Sequence, residues 1–450
     1  MASTTKEVLT DLSPVIKVYT DGTVERLFGS PHVPPSPEDP TTGVSSKDVA
    51  ISPAVSARLY LPKLTHPTQK LPVLVYYHSG AFCLESAFSF LHHRYINLLS
   101  AEAKALVVSV EYRQAPEHPL PAAYEDSWDA LQWVCSHVLD QTLFEKDQWI
   151  TNHGDFARVF IGGDSAGGNI AHNIALQAGS ESLPGNVKII GGILSHPYFW
   201  GSSPIGNEPK EDIEQNFVYR LWLFVHPSAP GGIDNQLINP LADGAPSLSG
   251  LGCSKIFVCL AEKDQLTSRG LVYVEEVKKS GWKGEVEVAV VEGEDHCFHI
   301  YGPETETPSA KNLIKRLASF ISTEINEFFL RSLNPSDGLE KAIYVRVPLG
   351  FRRLREYNIA LLAKQSWRVA MNPDTLLHQG LVDCWPAALA KWRRANGFNH
   401  WAPVVAPGLT RSILSIGPKC CSVTRKWQRL SPWSVVGGGI DQGGILARGR

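Results

Sequence analysis

Several side chains far apart in the chain have the types and positions of an activated nucleophile. A predicted strand, RVFIGG (158–163), runs into Gly163-Asp164-Ser165-Ala166-Gly167, and a predicted helix (167–179) leaves it. A serine on so sharp a strand-to-helix turn is lifted clear of the sheet and stands at a helix N-terminus, whose dipole favours developing negative charge. Gly163 and Gly167 answer a steric need, because a side chain on either would collide with neighbouring backbone. The plainer alternative is a glycine-rich turn with a serine helix cap. What separates the two is whether a base and an orienting acid follow in order. After the predicted strand KIFVCLA (255–261) comes Glu262-Lys263-Asp264, where Asp264 is our choice of acid and Glu262 the alternative. After EVEVAVV (285–291), the loop 292–299 carries His296, with His299 as competitor. Upstream, the strand 71–78 ends in His78-Ser79-Gly80-Ala81-Phe82. The main-chain N–H groups of Gly80, Ala81 and Ala166 are assigned as an oxyanion hole, the donors aimed where charge develops in acyl transfer. Ser79 stands where this kind of loop carries glycine. If that position requires φ > 0, serine is strained there and activity is weakened.

The elements that must position these groups alternate in type. ARLYLP (57–62), LPVLVYYH (71–78), ALVVSVEY (105–112), RVFIGG (158–163), KIIGGILS (188–195), KIFVCLA (255–261) and EVEVAVV (285–291) read as strands, several apolar on consecutive residues as in strands buried on both faces. Between them, 88–104, 122–138, 167–179, 267–280 and 309–331 read as helices. That alternation predicts an α/β fold with a mostly parallel central sheet. Residues 1–54 read as an N-terminal arm or lid, loop-rich over 28–54, and 55–332 as the core. The Pro-, Gly- and aromatic-rich stretch of about 198–248 reads as an inserted cap. Phe82, Phe199, Trp200 and Trp222 are the aromatics expected to shape a pocket.

Composition bounds the class. The 450 residues are 43% hydrophobic and 19% charged, which supports a sizeable core, and the formal charge of -3 gives no reason to expect a nucleic-acid or membrane-surface binder. The total hides an asymmetry: residues 336–450 hold 17 Lys+Arg against 6 Asp+Glu, leaving 25 against 39 in residues 1–335. No stretch is long and apolar enough for a membrane span, and MASTTKEVLTDL lacks a secretory core. The 8 Cys form no C-x-x-C pair, so free thiols in a reducing compartment are expected, the cytosol or else the nucleus. No cofactor or metal is implied.

HSGAFCLESAFSF, YRQAPEHPLPAAYEDSW (112–128), GDSAGGN, EKDQL and EDHCFH, in that order, resemble a plant carboxylesterase of the hormone-sensitive-lipase-like group, over about residues 8–330. The resemblance implies an α/β-hydrolase with Ser165, Asp264 and His296 as triad, a lid from the N-terminal arm and the insert, and a small-molecule ester as substrate. It also implies that the charges between Arg113 and Asp126 anchor a loop. The same family contains gibberellin receptors, in which the histidine is replaced; His296 here argues for an enzyme. It contains 2-hydroxyisoflavanone dehydratases as well, which use the scaffold for elimination. Because neutral imidazole would be the base, hydrolysis is expected to decline in acid.

The last quarter is a different text. LGFRRLREYNIALLAKQSWRVAMNPDTLLHQ (349–379) resembles the thumb-side region of a plant non-LTR retrotransposon reverse transcriptase, and the similarity extends over about 345–435. No paired-aspartate polymerase core precedes it, so reverse transcription is not expected. Residues 333–450 read as a basic extension, poorly structured or partly helical, joined by a gene fusion or a misdrawn gene boundary. Any nucleic-acid contact would run through its interleaved Arg, Lys and Trp.

Overall fold

The computed structural model describes residues 6–141, 145–206, 208–302 and 307–322. The expectations for 333–450, its retrotransposon-like stretch and its nucleic-acid contacts fall outside these residues, as does the end of the helix expected over 309–331.

The chain opens with three short antiparallel strands, β1 (Val8–Leu12), β2 (Ile16–Tyr19) and β3 (Val24–Arg26). The main sheet follows: β4 (Ser45–Ala50), β5 (Ser56–Leu61), β6 (Leu71–Tyr77), helix α1 (Phe90–Ala103) and β7 (Leu106–Glu111). Next come α2 (Ala122–Ser136), the short α3 (Gln148–His153), β8 (Gly154–Asp164), α4 (Ala166–Ser180) and β9 (Ile189–Ser195). After α5 (Phe217–Val225) the chain returns through β10 (Cys253–Ala261), α6 (Thr267–Lys279), β11 (Glu285–Val291), α7 (Phe298–Tyr301) and α8 (Pro308–Ser322). Among the described residues, eight strands form one sheet in the order β11-β10-β9-β8-β6-β7-β5-β4. It is parallel from β11 to β7, while β5 and β4 add antiparallel edges.

The burial of each strand follows its place. β6, at the centre, is buried along its whole length, as LPVLVYY requires with helices on both faces. β11, at one edge, alternates exposed Glu285 and Glu287 with inward Val286 and Val288, and its charges discourage pairing with another chain. The helices divide between the two faces. α1 and α8 bring Tyr95, Ile96, Leu99, Leu313, Ile314 and Leu317 to one. α2, α4 and α6 bring Leu131, Val134, Ile170, Ile174, Tyr273 and Val277 to the other. In α8 the buried residues recur at Ala310, Leu313, Ile314, Leu317 and Ile321, the spacing of a helix with one apolar face.

Two elements were not read from the sequence. The loop-rich stretch 28–54 contains a strand, SSKDVA (Ser45–Ala50), which pairs antiparallel with β5. Its composition is polar; the neighbouring strand makes it a strand. The cap region carries α5, an apolar helix among Pro- and Gly-rich text, with Trp222 fully buried and its Nε1 donating to the Gly232 carbonyl at 2.9 Å. The cap and the N-terminal strands touch, Arg220 Nη2 donating to the Asp11 carbonyl at 3.1 Å. The Arg113 to Asp126 run anchors a loop as expected: Asp126 is buried and accepts from the Arg113 main-chain N–H at 2.8 Å and from its guanidinium at 2.7 Å.

Candidate active site

The loops after β6, β8, β10 and β11 and the start of α4 meet at the carboxyl ends of the parallel strands. β8 ends at Asp164, and Ser165 follows with φ 55 and ψ -114, a conformation few side chains adopt. The turn is possible only with glycine on either side. A Cβ on Gly163 would lie 2.4 Å from the Tyr77 carbonyl oxygen, and one on Gly167 would lie 1.9 Å from it. β8 and α4 are thus packed against the end of β6, and Ser165 is held with its N–H donating to the Ser195 carbonyl at 2.8 Å. Only 7% of the serine is exposed.

Asp264 lies in the loop after β10, its carboxylate 2% exposed. Oδ1 accepts from the Leu266 N–H at 2.9 Å, which leaves Oδ2 facing the loop after β11. The two loops are tied by main chain, with Lys263 N–H donating to the Glu294 carbonyl at 2.9 Å. His296 is held between its neighbours: Nδ1 lies 2.7 Å from Asp264 Oδ2 and Nε2 lies 2.9 Å from Ser165 Oγ. The two alternatives are not brought to the serine. Glu262 is exposed and accepts from the Gly293 N–H at 2.8 Å. His299 is buried, with Nε2 2.9 Å from Asp164 Oδ1.

The loop after β6 turns through three consecutive residues of positive φ: Gly80 (112), Ala81 (53) and Phe82 (63). Among the described residues, the N–H groups of Gly80 and Ala81 have no acceptor, and Ala166 is the first residue of α4, whose N–H has no partner inside the helix. Only glycine fits at 80, where a Cβ would stand 2.0 Å from the Leu84 carbonyl oxygen. The strain expected at Ser79 is absent, since Ser79 is not among the residues of positive φ; the unusual backbone begins one position later.

Sequence reasoning missed His196. It follows β9 directly, at the same sheet edge as Asp264 and His296, and that strand-end position was the available signal. His196 is fully buried, and its Nδ1 lies 3.4 Å from Asp264 Oδ2, a close electrostatic contact rather than a directed hydrogen bond. Burial pushes the Asp264 carboxyl up, but the His196 and His296 rings outweigh it and hold the group below the ordinary carboxylate range. The His196, Asp264 and His296 donor atoms lie within 4.8 Å of one another, close enough to converge on a cation. His296 Nδ1 already faces Asp264, so the geometry is that of a hydrogen-bonded relay. The aromatics divide: Phe82 packs with Tyr124, Tyr198 and Trp222 at ring separations of 5.7, 6.1 and 6.3 Å. Phe199 instead packs on Tyr273 at 4.9 Å, and Trp200 lies under the Arg269 guanidinium at 5.1 Å.

A nucleophile elbow on a mostly parallel sheet, with acid and imidazole on the loops beyond later strands, defines a class, and comparison with known proteins agrees. Residues 74–300 match the alpha/beta hydrolase fold family, and the chain belongs to it. It is 59% identical over 322 residues to a 2-hydroxyisoflavanone dehydratase of Glycyrrhiza echinata, covering 71% of this chain and 98% of that protein. It is 45% identical over 324 residues to "Probable carboxylesterase 2" of Arabidopsis thaliana, covering 72% and 99%. Among solved structures, esterase LipW from Mycobacterium marinum superposes with a TM-score of 0.50 at 25% identity, covering 63% of this chain and 82% of that one. Among the described residues, no helix is long and apolar enough to cross a membrane.

Proposed function

We propose that the protein is a serine carboxylesterase that hydrolyses small carboxylic esters through an acyl-enzyme. The observation that carries this reading is His296 between Ser165 and Asp264, at 2.9 and 2.7 Å. His296 Nε2 takes the Ser165 proton as Oγ attacks the ester carbonyl. Asp264 holds the Nδ1–H tautomer and stabilises the imidazolium that forms. The N–H groups of Gly80, Ala81 and Ala166 receive the oxyanion, roughly 3–4 kcal/mol resting on each well-aimed donor. His296 then protonates the departing alcohol, and a water molecule, deprotonated by the same ring, attacks the acyl group and frees Ser165. The test is turnover of p-nitrophenyl acetate by wild type and by Ser165→Ala, with near-complete loss expected. Equal rates would remove the serine mechanism.

The identity to a 2-hydroxyisoflavanone dehydratase favours a second reading, an elimination at the same site. There His296 would take a proton from the carbon next to a ketone, the oxyanion donors would hold the enolate oxygen, and the neighbouring hydroxyl would leave as water after protonation. No attack by Ser165 is required. Loss of water from a 2-hydroxyisoflavanone that persists in Ser165→Ala, with ester turnover abolished, supports elimination as a separate activity. For location we propose the cytosol. Cys83, Cys135, Cys253, Cys259 and Cys297 are free and buried, as suits a reducing compartment. A fluorescent fusion confined to an oxidising organelle would refute it.

A further inference from the structure

Behind the oxyanion loop runs a chain of buried polar groups that the reaction above does not use. Ser79 Oγ lies 3.0 Å from His92 Nε2 and 2.5 Å from Tyr301 OH. On the other side of the imidazole, His92 Nδ1 lies 3.2 Å from Tyr76 OH, and Tyr76 OH lies 2.8 Å from Asp164 Oδ2. The five residues come from the oxyanion loop, α1, β6, the elbow and α7. Tyr76, Ser79, His92 and Asp164 are buried.

The direction of every hydrogen bond in this chain is forced. Burial lowers the His92 pKa to about 3, so its ring is neutral and carries one N–H. Burial raises the Asp164 carboxyl, but His299 and the Tyr76 hydroxyl outweigh it, so Asp164 is a carboxylate that can only accept. The Tyr76 O–H therefore points at Asp164. Its oxygen is left to accept from His92 Nδ1–H, which leaves a lone pair on Nε2. Ser79 gives its one hydrogen to that lone pair, and Tyr301 O–H donates to the Ser79 oxygen. Each donor polarises the next, from Tyr301 to the carboxylate beside the nucleophile.

We infer that Ser79 is a positioning residue for the oxyanion hole, its hydroxyl tying the Gly80–Ala81 loop to α7, α1 and the elbow through this one-directional chain. The inference rests on the reading of that loop as the oxyanion hole. Three consecutive residues of positive φ follow Ser79, and such backbone persists only where its surroundings over-determine it. Ser79 is the member that lies on the oxyanion loop itself, its hydroxyl donating to His92 Nε2 and accepting from Tyr301 OH. Glycine would suit the backbone equally well, yet it would leave His92 Nε2 and Tyr301 OH facing a gap. The serine is the pin of the loop, and restoring glycine harms it.

The experiment measures kcat and KM for p-nitrophenyl acetate with the full chain as wild type, Ser165→Ala, Ser79→Gly, Ser79→Ala, Tyr301→Phe and the Ser79→Ala/Tyr301→Phe double variant. Inhibition by a trifluoromethyl ketone, which adds to a serine and places an oxyanion in the hole, is measured in parallel. Ser79→Gly and Ser79→Ala are expected to lower kcat about 10-fold or more with KM within about 2-fold, and to weaken the ketone by a similar factor, because misaimed donors cost less than missing ones. Tyr301→Phe keeps its ring and the Ser79–His92 bond, so it folds and loses less. The double variant is expected to be no worse than Ser79→Ala, because the Ser79–Tyr301 bond that Tyr301→Phe removes is already gone in Ser79→Ala. A Ser79→Gly enzyme at or above wild-type kcat, or additive losses in the double variant, overturns the inference while leaving hydrolysis intact. A wild type without Ser165-dependent turnover overturns the hydrolase reading and this inference with it.

Discussion

Replacing Asp264 by asparagine removes one negative charge and almost no volume. In the wild type the carboxylate oxygen lies 2.7 Å from His296 Nδ1. When that ring becomes an imidazolium, the pair gains about 6 kcal/mol at an effective dielectric of about 20. The asparagine dipole returns part of this, and its amide can also hold the ring in the wrong tautomer. A net loss of about 4–6 kcal/mol corresponds to a fall in kcat of roughly 10³–10⁴. KM should change little, because the positive charge exists only while the bond is forming. The assay is p-nitrophenyl acetate turnover at high enzyme concentration, with Glu262→Gln as the comparison. Glu262 is exposed and receives one main-chain N–H at 2.8 Å, so its variant should stay within about 2-fold of wild type, as surface changes do. An Asp264→Asn enzyme within tenfold of wild type, or a Glu262→Gln enzyme equally damaged, would refute the assignment of the acid.

Two further outcomes are expected. Glu111 has its carboxyl pushed from 4.5 up to about 7 by burial, despite hydrogen bonds from Ser86 and Ala87. The folded state therefore binds this proton more tightly than the unfolded one, and stability falls as pH rises from 4.5 to about 7. Glu111→Gln keeps an acceptor oxygen and loses the charge, so its melting temperature should gain on wild type across that window; with 24% of the side chain exposed, we expect about 1–2 kcal/mol of the roughly 3 kcal/mol that full burial implies. Parallel melting curves of the two proteins against pH would contradict this. A chain ending at residue 334 should turn over esters like the full chain, because 98% of the Glycyrrhiza relative is matched within 71% of this chain. A large drop in kcat of the shortened chain would assign the last quarter a part in the reaction.

The strands of the main sheet were legible wherever their residues carried the signal themselves. LPVLVYY and KIFVCLA are apolar on consecutive positions because helices cover both faces, and EVEVAVV alternates because one face is wet. SSKDVA was not legible, since a polar edge strand is specified by its partner β5. The apolar helix α5 lay hidden in turn-rich text, its burial set by the elements around it.

The candidate site divides in the same way. Covalent geometry and sterics are local, so Gly163-Asp164-Ser165-Ala166-Gly167 between a strand and a helix already announced a strained turn with an elevated hydroxyl, and the carboxyl ends of later strands announced where partners would lie. The choice between Asp264 and Glu262, or between His296 and His299, is a matter of side chains two or three positions apart on loops whose paths depend on main-chain bonds to distant segments. Those bonds turn Glu262 toward Gly293 and His299 toward Asp164. The meaning of Ser79 was decided still later: its letter alone suggested a flaw, and the partners that make it a junction, His92 and Tyr301, come from 13 and 222 positions away. A hydrogen bond needs its two ends within about 3 Å, and only the folding of the whole sheet brings such ends together.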